Sequence, residues 1–292
     1  MTARFTAGTV FRGERLNMKI SLIQTSQNRK NELARFVKSL NGQVGIDFSQ
    51  VQLIFVDQED NREVFDILDK RIEFTYIKYK HCSLSYARNI GLKYVNGEYV
   101  GFPDDDCWYE PDVLKCLFDL FFKGYMGVVA KGTDENGLAT NDFPRKQQKL
   151  TLYNHCGAIS YTIFLKYVKS IPFDENIGVG SPYKLCSGEE TDYLINVMSV
   201  VGTTVYYEPS VVVHHPLSNK GNFLNNEVKQ YQYARGWGYV LRKHKYPASV
   251  ILKSFIRPLG GMLFSVIKID KKGIIHSFYL LKGRLEGYFY KL

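Results

Sequence analysis

Three consecutive aspartates, Asp104, Asp105 and Asp106, follow directly on the apolar run Tyr99–Pro103. Carboxylates crowded this closely repel one another, and a divalent cation removes that cost. Carboxylate oxygens are the ligands that Mg2+ and Mn2+ prefer. Magnesium takes only one or two of them from the protein and completes its shell with phosphate oxygens and water. The chemistry this suggests is neutralisation of a diphosphate leaving group. The same residues would also serve as a solvated acidic turn ahead of a helix at 111–122, with Pro111 near its first position. A second candidate is the pair Glu189-Glu190 in the stretch CSGEETDYLINVM. It fits a general base, or an acidic first helical turn favoured by the helix dipole. A third is His214-His215, which ends the run TTVYYEPSVVVHHP. Neighbours on a strand face opposite sides, so only one of the two histidines can approach a metal from there, and the pattern does not say which.

These residues need a scaffold, and the sequence supplies one. Four apolar, β-branched runs, 19–25, 51–57, 74–79 and 99–103, predict strands. Between the first two, Leu33, Phe36, Val37 and Leu40 recur on one helical face. Between the last two, Leu84, Ala87, Ile90, Gly91 and Val95 do the same. Strands alternating with helices form an α/β unit with a parallel sheet, and ligands sit beyond the carboxyl ends of its strands. The residues at those ends are polar: Thr25-Ser26-Gln27-Asn28-Arg29, then Asp57-Gln58-Glu59-Asp60, then the three aspartates. One polar strand end is most simply a cap or a turn. Three on one edge predict a binding site, with Thr25, Arg29, Asp57 and Asp105 among its lining residues.

In this order and spacing, residues 18–216 resemble the family-2 glycosyltransferases. That resemblance implies the α/β GT-A fold, a Rossmann-like and mostly parallel sheet flanked by helices. The stretch GEYVGFPDDDCWYEPDVL is similar to the family's D-x-D segment, which implies Asp104 and Asp106 as metal residues, with Mn2+ or Mg2+ as cofactor. SYARNIGL is similar to the A-R-N-x-G segment and implies a place for Arg88 beside the donor. VDQED stands where the family recognises the nucleobase, implying Asp57. IPFDENIGVG and CSGEETDYL are similar to the family's F-D-E segment and its later E-D pair, whose second acid is the catalytic base. Here Glu190 inherits that role and Glu189 is the reserve, because the chain carries Glu-Glu in place of Glu-Asp. Relatives also carry a His after the strand that here ends in His214-His215. The implied reaction is inverting transfer of a sugar from a nucleotide sugar, UDP-linked by expectation, to a saccharide or lipid-linked acceptor in surface-polysaccharide or glycolipid assembly. The segment QYQYARGWG matches the Q-x-x-R-W motif of processive synthases only faintly, since Gly236 interrupts it.

Bulk properties constrain the partners. The net charge is +9, and 11 Lys and Arg against 2 acidic residues fall between Arg242 and Leu292. The rest of the chain is neutral, which argues against nucleic acid as partner and points to an anionic membrane surface. Five cysteines without a CxxC pair read as reduced thiols of a cytoplasmic protein, peripheral at the inner face of the membrane. No run of about 18 consecutive apolar residues is present. Residues 1–17 read as a leader ahead of the fold, 18–216 as the catalytic domain and 217–292 as a basic helical extension. Within the extension, Pro258 and Gly260-Gly261 predict a break into short amphipathic helices lying in the headgroup layer. Two rival readings differ in class. A GT-A-like nucleotidyltransferase would carry a Gly-rich triphosphate loop after the first strand, which TSQNRKNEL lacks. A non-catalytic membrane or nucleic-acid binder leaves the acidic strand ends without a purpose.

Overall fold

The computed structural model describes residues 18–26, 29–202, 204–217 and 226–292. Residues 1–17, expected as a leader, lie outside the described residues, as do Gln27, Asn28, Thr203 and 218–225. The strands are β1 (Ile20–Ser26), β2 (Val51–Asp57), β3 (Glu73–Lys78), β4 (Tyr99–Gly101), β5 (Trp108–Tyr109), β6 (Gly127–Thr133), β7 (Gln148–Lys149), β8 (Ile163–Lys166) and β9 (Val205–His214). The helices are α1 (Lys30–Asn41), α2 (Leu84–Leu92), α3 (Val113–Phe122), α4 (Glu189–Val201), α5 (Glu227–Lys243), α6 (Ala248–Ile267) and α7 (Lys271–Phe289). The chain divides into two compact units. One comprises Met1–His81, Ile90–Lys169 and Val197–Pro216, the other Cys82–Asn89, Ser170–Asn196 and Leu217–Leu292.

The first unit holds the whole sheet, in the order β3-β2-β1-β4-β8-β6-β9-β5 with β7 on β9. The pairs β1–β2, β2–β3 and β1–β4 are parallel, as the alternating pattern predicts. Beyond β4 the sheet is mixed: β8 runs antiparallel to β4 and to β6, while β6 and β9 are parallel. Helices no longer separate every pair of strands there, so the right-handed crossovers that enforce parallel pairing are missing. Alternation places Ile20 and Leu22 of β1, and Val51, Leu53 and Phe55 of β2, in one core with Leu33, Phe36, Val37 and Leu40 of α1. Register aligns Ser26 with Asp57 and Asp57 with Lys78, so the polar residues after these strands share one edge.

In the second unit α5, α6 and α7 pack through small residues. A Cβ at Gly287 would fall 1.9 Å from the Arg235 carbonyl oxygen, and one at Gly238 2.2 Å from that of Arg284. Gly236, which interrupts the synthase-like motif, lets α5 approach Ser187, whose carbonyl oxygen would stand 2.3 Å from an added Cβ. The expected break at Pro258 does not occur: α6 is one continuous helix of 20 residues with Pro258 inside it. Proline removes the N–H that would bond the Ser254 carbonyl four residues back, and Arg284 Nη1 donates to that carbonyl instead, at 2.5 Å. Gly261 lies against Ser277 of α7, where a Cβ would meet Oγ at 2.9 Å, so the glycine serves close packing and not a turn. Although no run of apolar residues is unbroken, α6 has a mean hydropathy of 1.6 and is long enough to cross a membrane by length and composition alone.

Candidate active site

In the first unit the three aspartates form a turn beyond β4, closed by Cys107 N–H donating to the Asp104 carbonyl at 3.3 Å. Each carboxylate has its own surroundings. Asp104 Oδ1 accepts from Ser160 Oγ at 3.1 Å. Asp105 Oδ2 accepts from Ser26 Oγ at 3.0 Å, at the end of β1. Asp106 is bonded by Arg29 on one oxygen, while its other oxygen lies 2.8 Å from His215 Nε2. Arg35 fixes the turn from α1 by donating to the Asp106 carbonyl at 2.7 Å. The repulsion expected among three carboxylates is therefore offset by the chain's own cations, Arg29 and His215.

Titration follows from these contacts. Burial pushes the Asp105 carboxyl up to about 6, against Arg29 and the Ser26 hydrogen bond, with Asp106 and Asp104 adding to the rise. Burial acts on Asp106 in the same upward sense. There the hydrogen bond and charge of His215, with those of Arg29, outweigh it and hold the carboxylate below its usual range. For His215 burial favours the neutral ring, and the hydrogen bond to Asp106 with the charges of Asp106 and Asp104 reverses that, raising its pKa.

The geometry separates the two histidines. His215 stacks on Tyr161, with ring centroids 4.5 Å apart, and its Nδ1 bonds the Pro216 carbonyl at 2.7 Å, which leaves Nε2 facing Asp106 and, at 3.9 Å, Asp104. His214 stacks on Trp108, sends Nε2 to Glu110 at 2.6 Å and Nδ1 to Thr133 at 3.0 Å, and so does not join the aspartates. Among the described residues no group of three or more His, Cys, Asp or Glu side chains is already arranged to enclose an ion. What is present is an open edge of two carboxylates with an imidazole beside them, a donor set that suits Mn2+ or Mg2+ completed by phosphate.

Thr25 is partly exposed at the end of β1. Asp57 is fully buried, and its oxygens accept four hydrogen bonds: from Glu59 N–H (3.0 Å), Asn61 N–H (2.7 Å), Asn61 Nδ2 (2.9 Å) and Tyr76 Oη (2.9 Å). Burial would raise its pKa, and the bonds from Asn61 and Glu59 win and lower it. Its acceptor capacity is spent on the turn after β2, so a base donor would have to displace one of these partners. The turn opens on a cavity of about 590 Å³ lined by Gln58, Glu59, Asp60 and the stretch 78–81.

In the second unit Arg88 of α2 is 2% exposed, 3.7 Å from Glu189 Oε1 and over the Phe173 ring at 5.4 Å. Asn89 exchanges hydrogen bonds with the Phe173 backbone, and Ser85 Oγ donates to the Ile177 carbonyl at 2.6 Å, which locks the F-D-E segment onto α2. Gly178, at φ 103°, passes so close that a Cβ would meet Ser85 Oγ at 2.7 Å and Glu189 Cδ at 3.1 Å. Glu189 and Glu190 open α4 after Gly188, at φ 91°. Enclosure of the Glu190 carboxyl, then the charge of Glu189 and their shared hydrogen bond, push its pKa upward, with Arg88 opposing. One turn on, the fully buried Asp192 receives Lys243 at 2.8 Å and His244 at 2.6 Å. Ser160, Arg35, Tyr161 and Lys243 carried no signal in the sequence, because their roles depend on partners far along the chain.

The polar strand ends of the sheet thus gather carboxylates, and a glutamate pair opens α4 in the second unit. The chain belongs to glycosyl transferase family 2, whose description matches residues 21–181, more than half of its length. It is 28% identical over 189 residues to the minor teichoic acid biosynthesis protein GgaB of Bacillus subtilis (strain 168), covering 58% of this chain and 21% of GgaB. The chain thus spans about a fifth of that relative. S. aureus TarS 1-349 in complex with UDP-GlcNAc matches with a TM-score of 0.57 at 14% identity, over 94% of this chain and 93% of that one. The mannosyltransferase PcManGT from Pyrobaculum calidifontis, in complex with GDP-Man and Mn2+, matches with a TM-score of 0.59 at 12% identity, over 93% and 87%. The fold is the GT-A fold expected, with a helical C-terminal region.

Proposed function

We propose that the protein transfers a hexose with inversion from a nucleoside diphosphate sugar, UDP-linked, to a hydroxyl of a saccharide or lipid-linked acceptor in surface-polysaccharide or glycolipid assembly, at the inner face of the cell membrane. The observation that carries this reading is the convergence of Asp104, Asp106 and His215 beyond the strand ends, in a family member whose structural neighbours hold UDP-GlcNAc and GDP-Man. Asp104 and Asp106, with His215 beside them, would hold Mn2+ or Mg2+, which when bound supplies charge neutralisation for a diphosphate leaving group.

The chain's own residues do the rest. Glu190 takes the proton of the acceptor hydroxyl as its oxygen forms a bond to the anomeric carbon, and the bond from that carbon to the diphosphate breaks in the same displacement. A raised carboxyl pKa suits this task, because the base then lies nearer the working pH. Glu189, held by Arg88, keeps the first turn of α4 in place. Arg29 is the cation that would exchange Asp106 for a phosphate oxygen, with Thr25 and Asp105 beside it. Asp57 acts through the turn it holds, whose outer residues would meet the nucleobase.

The test is a screen of UDP- and GDP-sugars for hydrolysis or transfer with Mn2+ or Mg2+, alongside metal-dependent thermal shifts by UDP. Asp106→Ala is expected to lose metal-dependent turnover by at least about 10²-fold while retaining its circular dichroism. Near-normal turnover in that variant, or no nucleotide-sugar turnover at all in the wild-type chain, would overturn the assignment.

A further inference from the structure

Helix α6 is amphipathic in the reverse sense to a soluble surface helix. Most positions of α6 turned toward its neighbours are small or polar, with Phe255 set edge-on against Tyr288 of α7. Ser254 Oγ accepts from Trp237 Nε1 at 3.2 Å, Pro258 and Ser265 are buried, and Gly261 lies against Ser277. The large apolar side chains point the other way. Leu252, Ile256, Leu259, Leu263, Val266 and Ile267 are between 45% and 80% exposed. At about 100° per residue these six fall within one stripe roughly 100° wide. Ile269, two residues beyond the end of α6, is 83% exposed. A folded monomer rarely leaves so continuous an apolar surface open to water. Lys253, Arg257 and Lys268 run along one flank of the stripe, all exposed, and Lys271 and Lys272 follow at the start of α7.

We infer that α6 is a lipid-facing helix that lies in the plane of an anionic membrane surface, with its apolar stripe at the acyl boundary and the flanking cations among the headgroups. The inference goes beyond the transfer reaction and does not rest on it. Length alone would allow a span, since 20 residues reach about 30 Å. The charge pattern favours the in-plane arrangement. Lys253 and Arg257 sit in the first half, so the charge-free stretch runs only from Pro258 to Ile267, about 15 Å and half the hydrocarbon thickness. The inner side of α6 is also already engaged with α5 and α7. A second copy of the chain is the less suitable occupant. A two-fold contact would set each basic flank against its equivalent, in a region with 11 basic and 2 acidic residues. An anionic bilayer satisfies both the stripe and the charge.

Co-sedimentation of the full chain with phosphatidylcholine vesicles, with and without about a third phosphatidylglycerol, tests this. Binding is expected to the anionic vesicles and to be weakened at least about tenfold by Leu263→Ser with Ile267→Ser. Lys268→Glu, Lys271→Glu and Lys272→Glu together are expected to abolish the preference for anionic lipid. Circular dichroism of each variant should match the wild type, since all five side chains are exposed. Equal binding to neutral vesicles, unaltered binding by the serine variant, or no vesicle binding by the wild type would overturn the inference. So would a wild-type dimer in sedimentation velocity that the serine variant abolishes, which would assign the stripe to a second copy.

Discussion

Glu190→Gln separates the reaction from the stability of the fold, and the two effects are expected to have opposite signs. In the unfolded chain Glu190 ionises near 4.5, and in the folded protein enclosure and the charge of Glu189 raise that value. Between the two pKa values the folded state holds a proton that the unfolded state has released. The slope of unfolding free energy with pH is therefore negative, and stability falls as pH rises through this window. The favourable part is complete only below pH 4.5. Glutamine has nearly the same shape and does not titrate, so the variant lacks this loss. Each tenfold gain in proton affinity corresponds to about 1.4 kcal/mol, or roughly 2 °C in Tm for a chain of this size. Glu189 gains as well, since it keeps Arg88 and loses a neighbouring charge.

Thermal unfolding of both proteins from pH 4 to mildly alkaline pH, followed by circular dichroism, provides the comparison. The melting temperatures should lie close together in acid and diverge upward for Glu190→Gln as pH rises. Turnover of the variant should meanwhile fall at least about 10²-fold, with the thermal shift induced by the nucleotide unchanged. A gap in Tm that stays constant across the range would refute the argument that Glu190 is held protonated by its surroundings. Retained turnover in this variant, with turnover lost in Glu189→Gln, would move the base one residue upstream.

Two further substitutions test the support of that pair. Asp192→Ala removes a buried carboxylate from Lys243 and His244 and should cost about 3 kcal/mol, the low end for breaking a buried pair because Lys243 retains Asp174. Urea unfolding measures it, and a loss below about 1 kcal/mol would place the pair among weak surface interactions. Gly178→Ala forces a side chain into a left-handed backbone and against Ser85 and Glu189, at a cost of about 1–3 kcal/mol. Its turnover should fall more than its donor affinity, and a variant with normal stability and kinetics would contradict the close approach.

How far the sequence could be read depended on whether a residue's role is local. Strands β1, β2 and β4 and helix α1 were legible because their apolar periodicity is contained in the element itself. The three aspartates were legible as a cluster, but their electrostatics were not. Mutual repulsion was the natural expectation, and the offsetting charges come from Arg29 and His215, 77 and 109 residues away from Asp106. Alternation along β9 established that His214 and His215 face opposite sides. Which of them faces Asp106 is decided by Trp108 and Glu110 on one side and Tyr161 on the other.

Helix α6 marks the same boundary from another direction. Proline and paired glycines are local signals for a break, and they were overruled by partners outside the segment. Arg284 occupies the carbonyl that Pro258 leaves without its usual donor, and Ser277 lies in the space beside Gly261. Both partners belong to α7, so the continuity of α6 is a property of the helical pair and not of the helix. That dependence has a consequence for the apolar stripe. With mostly small residues drawn inward to let the helices approach, Phe255 against Tyr288 being the exception, most of the large ones are left facing outward. Close packing inside the pair and an exposed apolar face outside it are then two results of one sequence pattern, and a substitution that loosens the first, such as Arg284→Ala, should also disorder the second.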